Sequence, residues 1–146
     1  MIAYLDSSIL ARAYLADEDG HEHAVGLLED PEIGSVTGTW TRIEVSGALM
    51  RAARSGRVDA GELLAMLDAD LATDGPVTTL SAPQEAVEEA ALDLVRSHAL
   101  RAMDAWHLAV ASLTVPSLAE RGEDIAFASR DRGQGHVAAL LGFAPV

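Results

Sequence analysis

Four short apolar runs, set apart by stretches of helical periodicity, constrain the fold of this chain more than any other feature. They are Ile2 to Leu5, Ile33 to Val36, Val77 to Leu80 and Ile125 to Ala128. Each has the length of a strand and lacks polar alternation, as expected for a strand covered on both faces. Between them the spacing predicts helices over Ser7–Leu15, Glu22–Leu28, Thr39–Arg54, Ala60–Leu71, Gln84–His98, Met103–Leu113 and Gly135–Leu141. Pro83 sits just ahead of the fifth of these, a favourable position for a helix start. Short strands joined by crossover helices predict an α/β protein, a three-layer α/β/α arrangement around a short central parallel sheet. The 146 residues fit a single domain, 1–146, with no linker or internal repeat. Val115 to Asp124 is the one stretch expected to be an extended surface loop.

Composition removes several functional classes. There is no cysteine, which excludes thiolate nucleophiles, disulfides and cysteine-ligated zinc. All ten basic residues are arginine, so a P-loop lysine or a Schiff base is ruled out. A net charge of −13 argues against sequence-independent binding to a nucleic acid duplex and suits a basic protein partner instead. If nucleic acid is bound, contact must be local, through arginine and metal. No apolar stretch approaches the roughly 18–20 residues of a membrane span, and no secretory signal opens the chain. No membrane association and a cytoplasmic location are therefore expected.

Four acidic residues stand where a parallel sheet places its site, at or near the carboxyl ends of the strands. Asp6 directly follows the first apolar run and Asp131 closely follows the last. Each is also a good helix N-cap, and position alone allows Asp6 a capping role as readily as a site role. Two carboxylates leaving one edge of the sheet are harder to explain as two unrelated caps. Glu44 lies on an otherwise apolar helix, where the plain alternative is an ion pair with Arg51 four residues on or with Arg42. Asp104 opens a nearly all-apolar helix, where the helix dipole alone favours an acid. Ser8 and Ser129 each stand two residues from a strand-end acid, as candidates for orienting it or for ordinary capping. Arg42, Arg101, Arg130 and Arg132 flank three of the acids and suit either phosphate contact or salt bridges. His107, three residues after Asp104, could face the same site.

Taken together, these motifs resemble the PIN-domain ribonucleases, specifically the VapC-type toxins of bacterial toxin–antitoxin pairs. The resemblance spans nearly the whole chain. It runs from the Met1–Leu10 opening with its Asp6-x-Ser8, through Arg42-Ile43-Glu44-Val45, to Asp104-Ala105-Trp106-His107-Leu108-Ala109, its most specific segment. It ends with Ser129-Arg130-Asp131 and Ala139-Leu140-Leu141-Gly142. Two features depart from the family pattern: the long 115–124 segment, and the glycines of Gly133-Gln134-Gly135 where many relatives continue helically.

The resemblance implies a PIN-like fold and an endoribonuclease in which Asp6, Glu44, Asp104 and Asp131 hold Mg²⁺ or Mn²⁺, with Ser8 and Ser129 supporting them. It implies an RNA substrate, a cognate VapB-type antitoxin that masks the site, and a homodimer, and it makes the position of His107 a packing one. The chemistry agrees: hard cations take oxygen ligands, and Mg²⁺ needs only one or two carboxylates beside its waters. Crowding the acids has a cost, since like charges about 4 Å apart repel by roughly 4 kcal/mol at an effective dielectric near 20. A catalytically silent binding module on the same fold is the alternative. A haloacid-dehalogenase-like phosphohydrolase fits poorly, because Ser8 occupies the place of its second aspartate and there is no lysine.

Overall fold

The computed structural model describes residues 1–146. Its strands are β1 (Ile2–Leu5), β2 (Gly34–Gly38), β3 (Thr78–Leu80), β4 (Ile125–Ala128) and β5 (Ala144–Pro145), all parallel in the order β3-β2-β1-β4-β5. The helices are α1 (Ser7–Tyr14), α2 (His21–Glu29), α3 (Thr41–Arg54), α4 (Ala60–Asp70), α5 (Gln84–His98), α6 (Ala102–Thr114) and α7 (Arg132–Leu140). Strand β1 is central, with Tyr4 in register with Val36 on one side and Phe127 on the other.

Alternation along the strands divides the core into two halves. Ala3, Leu5, Ala126 and Ala128 face α1 to α4 and pack with Leu10, Val45, Leu49 and Leu67. Tyr4, Val36 and Phe127 face the other way and pack with Leu94, Leu108, Val110 and Val137 of α5, α6 and α7. Helices thus cover both faces of a sheet whose strands are only two to five residues long, the expected three-layer arrangement. The runs that form β1 and β4 are buried on both faces for that reason, whereas β3, at the sheet's edge, exposes Thr78 and Thr79.

The departures from the sequence-based expectation are local. Strand β2 begins one residue later than predicted and runs two further, through Thr37 and Gly38, which pair with Thr79 and Leu80. Thr37 and Gly38 fall outside the apolar run, but the Thr37 hydroxyl donates to the Leu5 carbonyl at 2.6 Å and so is satisfied inside the sheet. Strand β5 was not expected: two exposed residues carry no periodic signal. The presumed 115–124 loop opens with a 3₁₀ turn over Val115–Ser117, anchored by buried Val115.

Helix α7 begins three residues earlier than predicted and includes the glycines, so the chain after Asp131 is helical after all. Tertiary contacts outweigh the roughly 1 kcal/mol that each helical glycine costs. The fully buried Gln134 side chain donates to the Asp104 carbonyl at 3.1 Å and accepts from the Ser129 hydroxyl at 2.6 Å, fixing the first turn.

Candidate metal centre

Because every strand is parallel, their carboxyl ends share one edge, and a pocket of about 590 Å³ opens there. All four acids picked out in the sequence, Asp6, Glu44, Asp104 and Asp131, line it, together with Ser8 and three of the ten arginines, Arg12, Arg101 and Arg130. The acids arrive from the end of β1, from α3, from α6 and from the end of β4, so no local regularity brings them together.

Asp6 is the deepest, with 4% of its surface exposed. It is indeed the N-cap of α1: its Oδ1 accepts from the Ile9 amide at 3.0 Å and from the Ser8 hydroxyl at 2.7 Å. The cap and the pocket are compatible roles, since both use a carboxylate at the start of α1. Burial pushes the Asp6 carboxyl above its ordinary range, and the hydrogen bonds from Ser8 and the Ile9 amide offset only part of that. The Ser8 hydroxyl also accepts from the Arg130 amide at 3.1 Å, pinning the chain leaving β4 to the start of α1.

Asp131 repeats the device at the end of β4, its Oδ1 accepting from the Gln134 amide at 2.9 Å as the N-cap of α7. Ser129 receives the Asp131 amide at 3.0 Å and holds Gln134. Asp104 stands in the first turn of α6. Arg101 links the two acids, donating to Asp104 Oδ2 at 2.7 Å and to Asp131 Oδ2 at 3.1 Å. The Asp104 carboxylate in turn raises the Arg101 guanidinium above its usual value.

Glu44 pairs with neither Arg51 nor Arg42 through any ion pair; Arg42 instead binds Asp68 at 2.8 Å. Its partner is His107, whose Nε2 lies 2.7 Å from Glu44 Oε1 while Nδ1 lies 3.0 Å from the Tyr4 hydroxyl. A carboxylate only accepts, so Nε2 carries the proton and, in the neutral ring, Nδ1 accepts from Tyr4. Burial raises the Tyr4 phenol well above its ordinary range, which keeps it a donor. His107, expected to be mere packing, is therefore a 2%-exposed polar residue that orients one of the four acids. Its three-residue offset from Asp104 was the available signal, because residues three apart share a helix face. Arg12 was also missed. It lies four residues after Ser8 on α1 and donates to the Ser8 carbonyl at 2.6 Å. Arg130 binds Asp19 at 3.0 Å, and Arg132 does not line the pocket.

Oxygen donors of this kind match hard divalent cations rather than zinc or copper. As the side chains lie, however, no three carboxylates or imidazoles are gathered closely enough to enclose an ion. The contacts above account for this: Asp104 and Asp131 turn toward Arg101, and Glu44 toward His107. The residues fit such a cation by chemistry and by location on one pocket wall.

A PIN domain family model matches residues 3–140, so the chain belongs to the PIN domain family. Among solved structures, the fold resembles that of Mycobacterium tuberculosis VapC20, described as a Sarcin-Ricin loop cleaving toxin. The TM-score is 0.63 at 20% identity, over 99% of this chain and 98% of that one. No curated protein matches the sequence.

Proposed function

We propose that this chain is a metal-dependent endoribonuclease, a single PIN domain over residues 1–146 acting as the toxin of a VapBC-type toxin–antitoxin pair. The observation that carries this reading is the convergence of Asp6, Glu44, Asp104 and Asp131 on one pocket at the carboxyl edge of the sheet. In this reading those four residues hold Mg²⁺ or Mn²⁺. A divalent ion there supplies an activated water and relieves charge on the phosphodiester oxygens.

The protein's own groups do the rest. Ser8 and the α1 amide hold Asp6 in one rotamer, and His107 with Tyr4 fixes Glu44. Such outer contacts typically govern metal affinity by about 10–100-fold. Arg12, Arg101 and Arg130 place guanidinium groups on the pocket wall, where they suit the non-bridging oxygens of a bound phosphate.

The net charge of −13 favours a basic antitoxin segment as the masking partner. A homodimer and a cytoplasmic location belong to the same reading; no helix of the chain is long and apolar enough to cross a membrane. Retention of all four acids counts against a catalytically silent binding module.

Incubating the purified protein with total RNA and with a ribosomal RNA fragment containing the sarcin–ricin loop tests the proposal. Cleavage should require Mg²⁺ or Mn²⁺, stop in EDTA and be lost in Asp6→Asn. Cleavage that survives EDTA or that substitution would refute the metal mechanism.

A further inference from the structure

The chain's two tryptophans, far apart in sequence, meet at a second pocket on the same edge of the sheet. Trp40 and Trp106 have ring centroids 6.0 Å apart and line a pocket of about 290 Å³ with Ser81, Gln84 and Glu88. Trp40 follows the end of β2, and Ser81 follows the end of β3.

The seat is built by the backbone. A Cβ on Gly38 would lie 2.7 and 2.8 Å from Trp106 ring carbons and 2.6 Å from the Tyr4 hydroxyl, so only glycine lets the indole lie against β2. On its other side the indole meets His107 edge-on at 5.3 Å. Trp40, by contrast, is 48% exposed, an unusual position for the largest side chain in an aromatic-poor protein.

The geometry points to this pocket as the seat for one unpaired base of the RNA strand whose phosphate lies at the acidic pocket, an inference that rests on the nuclease reading above. Placement supports it: the acidic pocket spans β1 and β4 and the tryptophan pocket β2 and β3, about 10 Å apart at the usual strand spacing. That is within reach of an adjacent or next-but-one nucleotide. Charge supports it as well. At −13 the protein gains little from general phosphate attraction, so affinity for a strand must come from the metal, a few arginines and stacking. One stacked base contributes roughly 5- to 150-fold in affinity. The rim adds selectivity: Gln84 donates its amide to Glu88 at 2.6 Å, leaving carboxylate and amide oxygens as acceptors. Acceptors of this kind favour a base bearing an exocyclic amino group, cytosine over uracil.

Both tryptophans belong to this pocket, so intrinsic fluorescence reports on it directly. We would titrate the wild-type protein in Ca²⁺ with eight-residue oligocytidylate and oligouridylate, and repeat this with Trp40→Ala and Glu88→Gln. Quenching by both oligonucleotides is expected, tighter for cytidylate. Trp40→Ala should weaken binding by roughly 5- to 150-fold, with Mn²⁺ affinity by calorimetry as in the wild type. Glu88→Gln should erase the preference for cytosine. Unchanged RNA affinity in Trp40→Ala, or quenching that follows protein concentration and dimerisation instead of RNA, would overturn the proposal. A wild-type protein that cleaves RNA with Mn²⁺ while failing these tests loses the aromatic seat alone. One that neither cleaves nor binds RNA loses the nuclease reading with it.

Discussion

The ends of β1 and β4 lie side by side and carry the same device, an aspartate capping the following helix, in opposite surroundings. Asp6 is buried, held by Ser8 and the Ile9 amide, and paired with no arginine. The Asp131 side chain is 39% exposed and its free oxygen is held by Arg101, itself 76% exposed. A buried carboxylate has few rotamers and few waters to exchange, so it is preorganised for a cation. A half-exposed one tied to an exposed arginine is adjustable. In the metal-dependent reading proposed above, Asp6 is the fixed ligand on the central strand and Asp131 the accommodating one beside it.

The sharpest way to break this comparison is to neutralise each acid in turn. Asp6→Asn keeps the capping oxygen and should lower kcat by on the order of 10²–10³-fold, the scale of one lost preorganised electrostatic contact. Asp131→Asn should cost only about tenfold. Equal losses in a single-turnover cleavage assay would remove the distinction.

The supporting serines sharpen it further. Ser8→Ala removes a direct bond to the Asp6 carboxylate and should weaken Mn²⁺ binding by about 10–100-fold. Ser129→Ala touches Asp131 only through its amide and should weaken it less. Calorimetric titration distinguishes the two.

Arg101→Gln should release both of the acids that Arg101 holds, Asp104 and Asp131, and leave Asp6 as it is. Without its competing cation, Mn²⁺ affinity should rise about two- to fivefold, the scale of one exposed ion pair, and the gain should shrink in an Asp131→Asn background, where only the Asp104 contact is left to release. A fall in affinity would contradict it.

The smallest effect is in stability. Burial raises Asp6 in the folded protein, so between its unfolded value of 3.8 and that raised value the fold binds the extra proton. In EDTA, stability should therefore fall as pH rises through this window, and Asp6→Asn should lack that part of the slope. Thermal melts across pH check the difference between the two proteins.

Much of the frame was legible in the sequence because it is local. Four short runs and the periodic stretches between them set four strands and seven helices; the pattern is clearest in β1 and β4, where burial on both faces leaves largely apolar side chains. The four acids were legible too, through strand-end position and the PIN-type motifs. What was misread depended on partners remote in the chain. Gly133 and Gly135 look like a break, yet Gln134 anchors them in a helix by bonding to residue 104. Glu44 looks paired with Arg51 one turn away, yet it meets His107, 63 positions on. Strand β5 exists only because β4 offers it an edge.

The two strand-end aspartates divide the same way. The sequence by itself determined that Asp6 and Asp131 would leave one sheet edge and cap helices, because strand length and N-cap chemistry are properties of a few consecutive residues. Only the tertiary structure decided that one would be buried and the other latched to Arg101. Burial and ion pairing are set by what α3, α6 and the neighbouring strand bring across the pocket, and no short stretch of sequence contains that.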